Sequence, residues 1–397
     1  MRWRRPCRGT TSERGAPGSD LTPPRGDKPR VLAIAEDPHG LVTACRVHAP
    51  LMTLMRLRLI DDYWVTDASM ANVPPDAPFD VVWLQRARDR DLTLRLIGRL
   101  DGQFLLDMDD LLVARPSYIE EGDFPQADHI RAAVRACAVL TAPSLRLAGL
   151  LAERGCGDAP SKTVVCPNAL EFPRQPPAEP TTPRGILLTQ SHRLALTASK
   201  EAVLSAICDF AHENVLPVYY FGPPLSTLGA GVADSLASVV SCGYLDFWRY
   251  HALLAAWPAM IGAAPLETRG DAETLAFVAA KSDIKMVEYA GYGHTGVYSD
   301  AAPFTDTDLV VGTVVSNSYE SWVSGLQTAL NDAWRMCAAQ QAHVVDTRSM
   351  ESVAADCWQP AIRRARLPRP LRARELMSTR LTARGVLARA RRVVGGS

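Results

Sequence analysis

Short runs of apolar residues recur along the first half of the chain, and each is apolar throughout rather than alternating with polar positions. They are VLAIA (31–35), DVVWLQ (80–85), QFLLDMDD (103–110), CAVLTAPS (137–144) and KTVVCPN (162–168), each a helix-length or loop-length segment from the next. An alternating strand has one wet face, whereas a continuous apolar run suits a strand covered by helices on both sides. The pattern predicts a parallel α/β sheet, with a helix in the mixed segment 43–59. The rhythm stops at EFPRQPPAEPTTPR (171–184), where five Pro in fourteen residues exclude a helix or a central strand. It restarts with GILLTQ (185–190), a helical segment at 202–214, LPVYYFG (216–222) and AMIGAAPLE (259–267). A short polar loop follows, then a helical KSDIKMVEYAGYG (281–293), the strand TGVYS (295–299) and a helix over 319–341.

The expected class is therefore α/β, with two Rossmann-like parallel-sheet domains facing a cleft. The expected divisions are a disordered basic N-terminal tail (1–29), a first domain (30–172), a Pro-rich linker (173–184), a second domain (185–350) and a basic C-terminal segment (351–397). Open parallel sheets bind ligands at the carboxyl ends of their strands, so two of them joined in this way place a ligand between them.

Charge sharpens this division. The 397 residues carry 43 basic and 43 acidic side chains, yet residues 1–30 are net +5 and residues 361–397, with eleven Arg and only Glu375, are net +10. The body between them is net −15, which makes free nucleic acid an improbable cleft substrate. The Arg-rich C-terminus suits three roles: peripheral contact with an anionic membrane, a solubilising tail, or docking on the acidic body. The longest apolar run, 252–266, is interrupted by Pro258 and is too short to span a bilayer. Nine scattered Cys without a CxxC pair point to reduced thiols, and MRWRR lacks a following apolar stretch, so a cytoplasmic location is expected.

The densest chemistry lies in KSDIKMVEYAGYGHTGVYSD (281–300). On a helix Lys281, Lys285 and Glu288 share a face, while Ser282 and Asp283 stand at the start, where unpaired N–H groups favour an anion such as a diphosphate. The plain structural reading is an N-cap and a solvated charged face. Gly291, Gly293 and Gly296 satisfy GxGxxG, but the helix comes before and the strand after, the reverse of a dinucleotide fingerprint.

The segment APLE (264–267) followed by KSDIKMVEYAGYGHTGVYSD resembles the donor-binding region of GT-B glycosyltransferases of the family 4, or group 1, type. GILLTQSHR, GYLDFWRY (243–250), CRVHAP (45–50) and LLDMDDLL (105–112) resemble further segments of that group. The resemblance spans about residues 30–335. It implies a metal-independent enzyme that moves a sugar from a nucleotide-sugar donor to a glycan, lipid-linked or small-molecule acceptor, with retention as the default and no separate cofactor. Glu288 matches the second Glu of the Glu-x7-Glu motif that holds the donor ribose; a carboxylate can accept two hydrogen bonds from a vicinal diol. Arg193 and Lys281 fall where charge on the departing diphosphate is neutralised. Ser282, Lys285, His192 and Tyr244 complete the implied donor side, and Gly40, Arg46 and Asp107 the acceptor side. Tyr244, Phe247, Trp248 and Tyr250 can wall a base or sugar pocket or pack in the core.

Two positions depart from the pattern: Ala280 stands where the first Glu belongs, and Val278 where an Asn is usual. They motivate an alternative, a nucleotide-sugar binder without turnover. A second alternative is a metal-dependent GT-A enzyme using Asp107 and Asp109 as an Asp-x-Asp pair.

Overall fold

The computed structural model describes residues 28–171, 182–190, 196–225 and 239–377. The basic N-terminal tail, most of the Pro-rich linker, His192, Arg193 and the arginines from Arg380 onward lie outside the described residues.

Seven strands belong to the first half: β1 (Arg30–Ile34), β2 (Asp62–Thr66), β3 (Pro78–Phe79), β4 (Val81–Gln85), β5 (Leu105–Asp107), β6 (Val139–Ala142) and β7 (Thr163–Val165). Six belong to the second: β8 (Ile186–Thr189), β9 (Val218–Phe221), β10 (Val239–Ser241), β11 (Ile261–Ala264), β12 (Thr295–Ser299) and β13 (Thr313–Val315). All but β3 form two parallel six-stranded sheets, ordered β2-β1-β4-β5-β6-β7 and β10-β9-β8-β11-β12-β13. Burial on both faces is visible along β1, where Val31 and Ala33 enter one apolar cluster and Leu32 and Ile34 another. Most of the continuous apolar runs are thus strands sandwiched between helices, as expected; β7 is the exception, an edge strand that is half-buried throughout.

Three strands of the two six-stranded sheets had no signal in the apolar pattern. β2, β10 and β13 lie at or next to sheet edges and are half-buried or exposed along most of their length, so their composition stays mixed. The supposed polar loop after APLE instead contains a helix, Ala272–Ala279, whose N-cap Asp271 accepts from the Thr274 N–H. The helix expected from Lys281 begins at Ile284, and the one expected to end at 341 continues as Tyr319–Arg348, 30 residues long.

In the helical segment that follows β1, residues Ala44–His48 form a π turn in which the Ala49 N–H reaches back to the Ala44 carbonyl. Pro50 supplies the reason: it has no N–H to bond the Arg46 carbonyl, so the α ladder breaks one residue earlier. The turn swings Arg46 inward, to 3% exposure.

The basic C-terminal segment is not a free tail over its described part. Residues Met350, Val353, Ala354, Trp358, Ala361 and Ile362 pack against the first sheet's β1 and β4 side chains, and Trp358 stacks on Trp83 with ring centroids 4.6 Å apart. A final strand, β14 (Leu371–Arg372), pairs antiparallel with β3. Arg366 lies 3.9 Å from Asp80, and Arg374 lies 2.9 Å from Asp76. Of the three roles open to this segment, docking on the acidic body is the one its described residues adopt. The chain therefore crosses between domains twice, side by side: Leu170 bridges Ser349, its N–H donating to the Arg348 carbonyl at 2.7 Å. Among the described residues no helix is long and apolar enough to cross a membrane.

Candidate functional site

The carboxyl ends of the two sheets point at each other and are in contact. Helix Ala272–Ala279 reaches into the first domain: Phe277, 4% exposed, and Ala280, 0% exposed, join its apolar core, with the Tyr118 and Phe124 rings edge-on to Phe277. Polar contacts flank this plug. Ser117 donates its N–H to the Thr274 hydroxyl at 3.0 Å, Arg146 bonds the Ala279 carbonyl at 3.1 Å, and Arg154 pairs with Glu273.

Directly after the plug come the residues that the sequence singled out. Ser282 accepts from the Asn168 side chain at 2.6 Å, and Asn168 stands just past the end of β7 in the other domain. Lys281 lies 3.6 Å from Asp110, which follows β5. Asp110 is also bonded by Arg86 at 2.9 Å, and Arg86 holds Asp109 through two hydrogen bonds of 2.6 Å. Arg86 and Ala87 both adopt positive φ, 61° and 52°. Two consecutive non-glycine residues in that region are costly and persist only where the surroundings hold them, here the Asp109–Arg86–Asp110 fork.

On helix Ile284–Gly291 the Glu288 carboxylate is 4% exposed and accepts from Lys285 at 2.6 Å and from the Tyr250 hydroxyl at 3.1 Å, both on Oε2. Its Oε1 lies 3.7 Å from His251 Nε2. Burial works against the Lys285 ammonium, but the adjoining carboxylate more than offsets this and holds its pKa above the usual lysine value. Burial lowers His251 to about 4, so it is neutral at pH 7 and serves as a hydrogen-bonding ring, with Nδ1 2.8 Å from the Tyr292 hydroxyl. Nearby Cys45, from the first domain, is pushed up to about 12 by burial, so it remains a thiol and not a nucleophile.

The structure thus gathers four implied donor-side residues, Lys281, Ser282, Lys285 and Glu288, on one segment that faces the first sheet. Tyr244 is 54% exposed on the loop after β10. Gly40 begins the helix after β1, where an added Cβ would sit 2.8 Å from Asp37 Oδ2.

Arg46 and Asp107 need correction. Both are buried, at 3% and 0% exposure, and form an ion pair of 2.7 Å. Arg46 Nε also approaches Asp107 Oδ2 at 3.3 Å, Thr141 donates to Oδ1 at 2.9 Å, and Arg46 Nη1 bonds the Cys166 carbonyl at 2.6 Å. Asp107 sits between β4 and β6 with parallel partners on both sides. It offers no oxygen to an acceptor or to a metal, and the Asp-x-Asp reading fails with it. Asp109 is committed to Arg86. Among the described residues, no cluster of three His, Cys, Asp or Glu could hold a metal ion.

Sequence reasoning assigned no role to Asn168, Asp110 or Glu267. The last was quoted only as part of APLE. It is 1% exposed and accepts six hydrogen bonds, from the Thr197, Ser199, Thr268 and Arg269 N–H groups and from the Thr197 and Ser199 hydroxyls. It ties the loop after β8 to the loop after β11. Burial alone would raise its pKa, but these donors outweigh burial and hold it at about 2, against 4.5 for an ordinary glutamate. A depressed carboxylate stabilises the folded state fully above its unfolded pKa. Glu267's contribution should therefore be complete above pH 4.5 and be lost as pH falls toward 2. Glu267→Gln should lower stability at pH 7 by about 1–3 kcal/mol, because several donors lose their acceptor. Urea melts of both proteins at pH 7 and pH 3 check this: the gap must narrow at the lower pH.

Two parallel six-stranded sheets meeting by their carboxyl ends, with the C-terminal helices returning to the first domain, define the GT-B fold class. Comparison with solved structures agrees. HepE from Anabaena, solved in complex with UDP and glucose, is similar over 83% of this chain and 98% of its own, with a TM-score of 0.53 and 12% identity. AviGT4, a glycosyltransferase involved in avilamycin A biosynthesis, matches 85% of this chain and 97% of its own at TM-score 0.52 and 13% identity. A glycosyltransferase from Rickettsia africae matches 94% and 100% at TM-score 0.50 and 10% identity. At such identities these likenesses establish the fold. No protein-family model matches the chain, and no curated protein sequence matches it.

Proposed function

We propose that this protein transfers a glycosyl group from a nucleotide-sugar donor to an acceptor. The observation that carries the reading is the placement of Glu288, Lys285, Ser282 and Lys281 on one short segment turned toward the strand ends of the opposite domain. Glu288 would take the ribose hydroxyls in exchange for its bonds to Tyr250 and Lys285. Lys285, once released, and Lys281, released from Asp110, would turn to the diphosphate, where negative charge grows as the glycosidic bond breaks. Arg193 joins them on the strength of the family resemblance, which also makes retention the default outcome. Because the facing ends are in contact, donor admission requires the domains to part and then close, expelling water from the reacting centre.

The neighbour solved with UDP makes UDP and UDP-glucose the first probes. A thermal-shift panel of nucleotide sugars should single out a stabilising donor. The stabilisation should be the same with and without EDTA, since no step in this scheme uses a metal. If no nucleotide or nucleotide sugar raises the melting temperature, the reading is wrong.

The second reading, a donor binder without turnover, draws on one observation. The residue where the family carries its first Glu is Ala280, fully buried in the first domain's apolar core, a place that would not accept a carboxylate. Product formation with any acceptor in the presence of the stabilising donor excludes it.

A further inference from the structure

The double chain crossing between the domains and helix Ile284–Gly291 grip each other at both ends of that helix. At its start, Asp283 Oδ2 accepts from Arg348 Nη2 at 3.3 Å and from the Thr307 hydroxyl at 2.6 Å, and Arg348 also pairs with Asp308. Arg348 is 8% exposed and is the last residue of helix Tyr319–Arg348, immediately before the crossing. At the helix end, Gly291 packs so closely on Leu170 that a Cβ there would lie 2.8 Å from both Leu170 methyl carbons. Leu170 is itself the crossing residue, donating to the Arg348 carbonyl and accepting from the Met350 N–H at 3.0 Å. The Gly291 carbonyl is held at 3.1 Å by Gln341, fully buried on the same long helix.

We propose that Arg348, Gly291 and Leu170 are positioning residues that couple the angle between the domains to the placement of Glu288 and Lys285. Such a helix cannot follow one domain while the crossing follows the other: it is fastened to the pivot by a charge cluster at one end and by steric contact at the other. Parting the domains turns the crossing, and the turn is transmitted to the helix as a rigid displacement. The pivot then sets when Glu288 can exchange Tyr250 and Lys285 for a ribose. The ligand readout of this proposal rests on the donor reading of Glu288; the mechanical coupling does not.

The test is a steric cycle. Gly291→Ala, Leu170→Ala, their double variant and Arg348→Met are compared by calorimetric titration with UDP, and without nucleotide by small-angle X-ray scattering. Gly291→Ala and Arg348→Met are each expected to raise the UDP Kd about tenfold, in the range reported for coupling residues, and to shift the radius of gyration. Adding Leu170→Ala to Gly291→Ala should return both quantities toward wild type, and the melting temperature of each variant, measured alongside, separates relief of the coupling from relief of a folding defect. Should Arg348→Met not fold, Arg348→Lys, which keeps the charge and loses the fork, replaces it and should show a smaller loss of the same sign. Unchanged affinity and unchanged scattering in Gly291→Ala would overturn the proposal, as would a loss that Leu170→Ala fails to relieve. If the wild-type protein binds no nucleotide or nucleotide sugar, the donor reading fails instead, and the scattering cycle alone decides the coupling.

Discussion

Replacing Glu288 by Ala is expected to weaken UDP binding about a hundredfold, roughly 3 kcal/mol, the worth of two hydrogen bonds from a vicinal diol to a charged acceptor. The carboxylate is well prepared for this role. It is 4% exposed, so solvent screens it little, and its present donors, Lys285 at 2.6 Å and Tyr250 at 3.1 Å, occupy one oxygen. Glu288→Gln should lose about tenfold only, since the amide oxygen still accepts. Tyr250→Phe sharpens the assignment: it removes a competitor for the carboxylate, so it should leave affinity equal or improved. Titration calorimetry of the three variants gives the order, and an affinity for Glu288→Ala within twofold of wild type would end the ribose assignment. Because the alanine variant leaves Lys285 without its anion, its melting temperature has to be measured alongside, so that a folding defect is not counted as a binding defect.

The second large effect concerns stability. Trp358→Ala is expected to cost about 3–5 kcal/mol, the range for truncating a large aromatic in a core. Trp358 is 1% exposed, stacks on Trp83 at 4.6 Å, and lies beneath the Arg46 guanidinium, 4.8 Å from its ring centre. The substitution therefore removes a stacking pair and exposes one face of the buried Arg46–Asp107 pair. For a domain of this size the first domain's melting transition should fall by roughly 10 °C. The second domain, whose core clusters do not include Trp358, should melt nearly unchanged, which differential scanning calorimetry can resolve. A shift below about 3 °C would mean that the C-terminal segment rests on the first domain without supporting it.

How far the fold was legible follows from the kind of signal each element carries. β1, β4, β6, β8 and β12 are buried on both faces, so their apolar runs are unbroken and visible in one dimension. β2, with the sequence DYWVT, and β13, with TVV, are edge strands that are only partly buried; their β-branched and aromatic residues suit a strand, but neither is the longer unbroken apolar run that marks a strand covered on both faces. Helix Ala272–Ala279 was missed for the opposite reason: AETLAFVA is short, and its apolar residues Phe277 and Val278 fit a buried loop equally well until their target, the first domain's core, is known. Within the site, Lys285 and Glu288 were legible because their spacing on a helix brings them together whatever surrounds them. Arg46 and Asp107 were misassigned because both residue types usually mean surface or chemistry. Their burial depends on one another across 61 positions.

Local pattern alone, then, determined two α/β halves and a short segment dense in Lys, Ser, Asp and Glu, because each of these depends on residues close together in the chain. Tertiary structure decided which charges were spent on holding the domains and which stay on the segment that faces the opposite domain. It turned Asp107 into a structural counter-ion, Lys281 into the partner of Asp110, and the described part of the basic C-terminal segment into part of the first domain. The reason is that pairing energy depends on distance in space and on the loss of water around both partners. Asn168 and Ser282 meet across 114 positions, and Arg56 and Glu351 across 295, and no periodicity along the chain records such meetings.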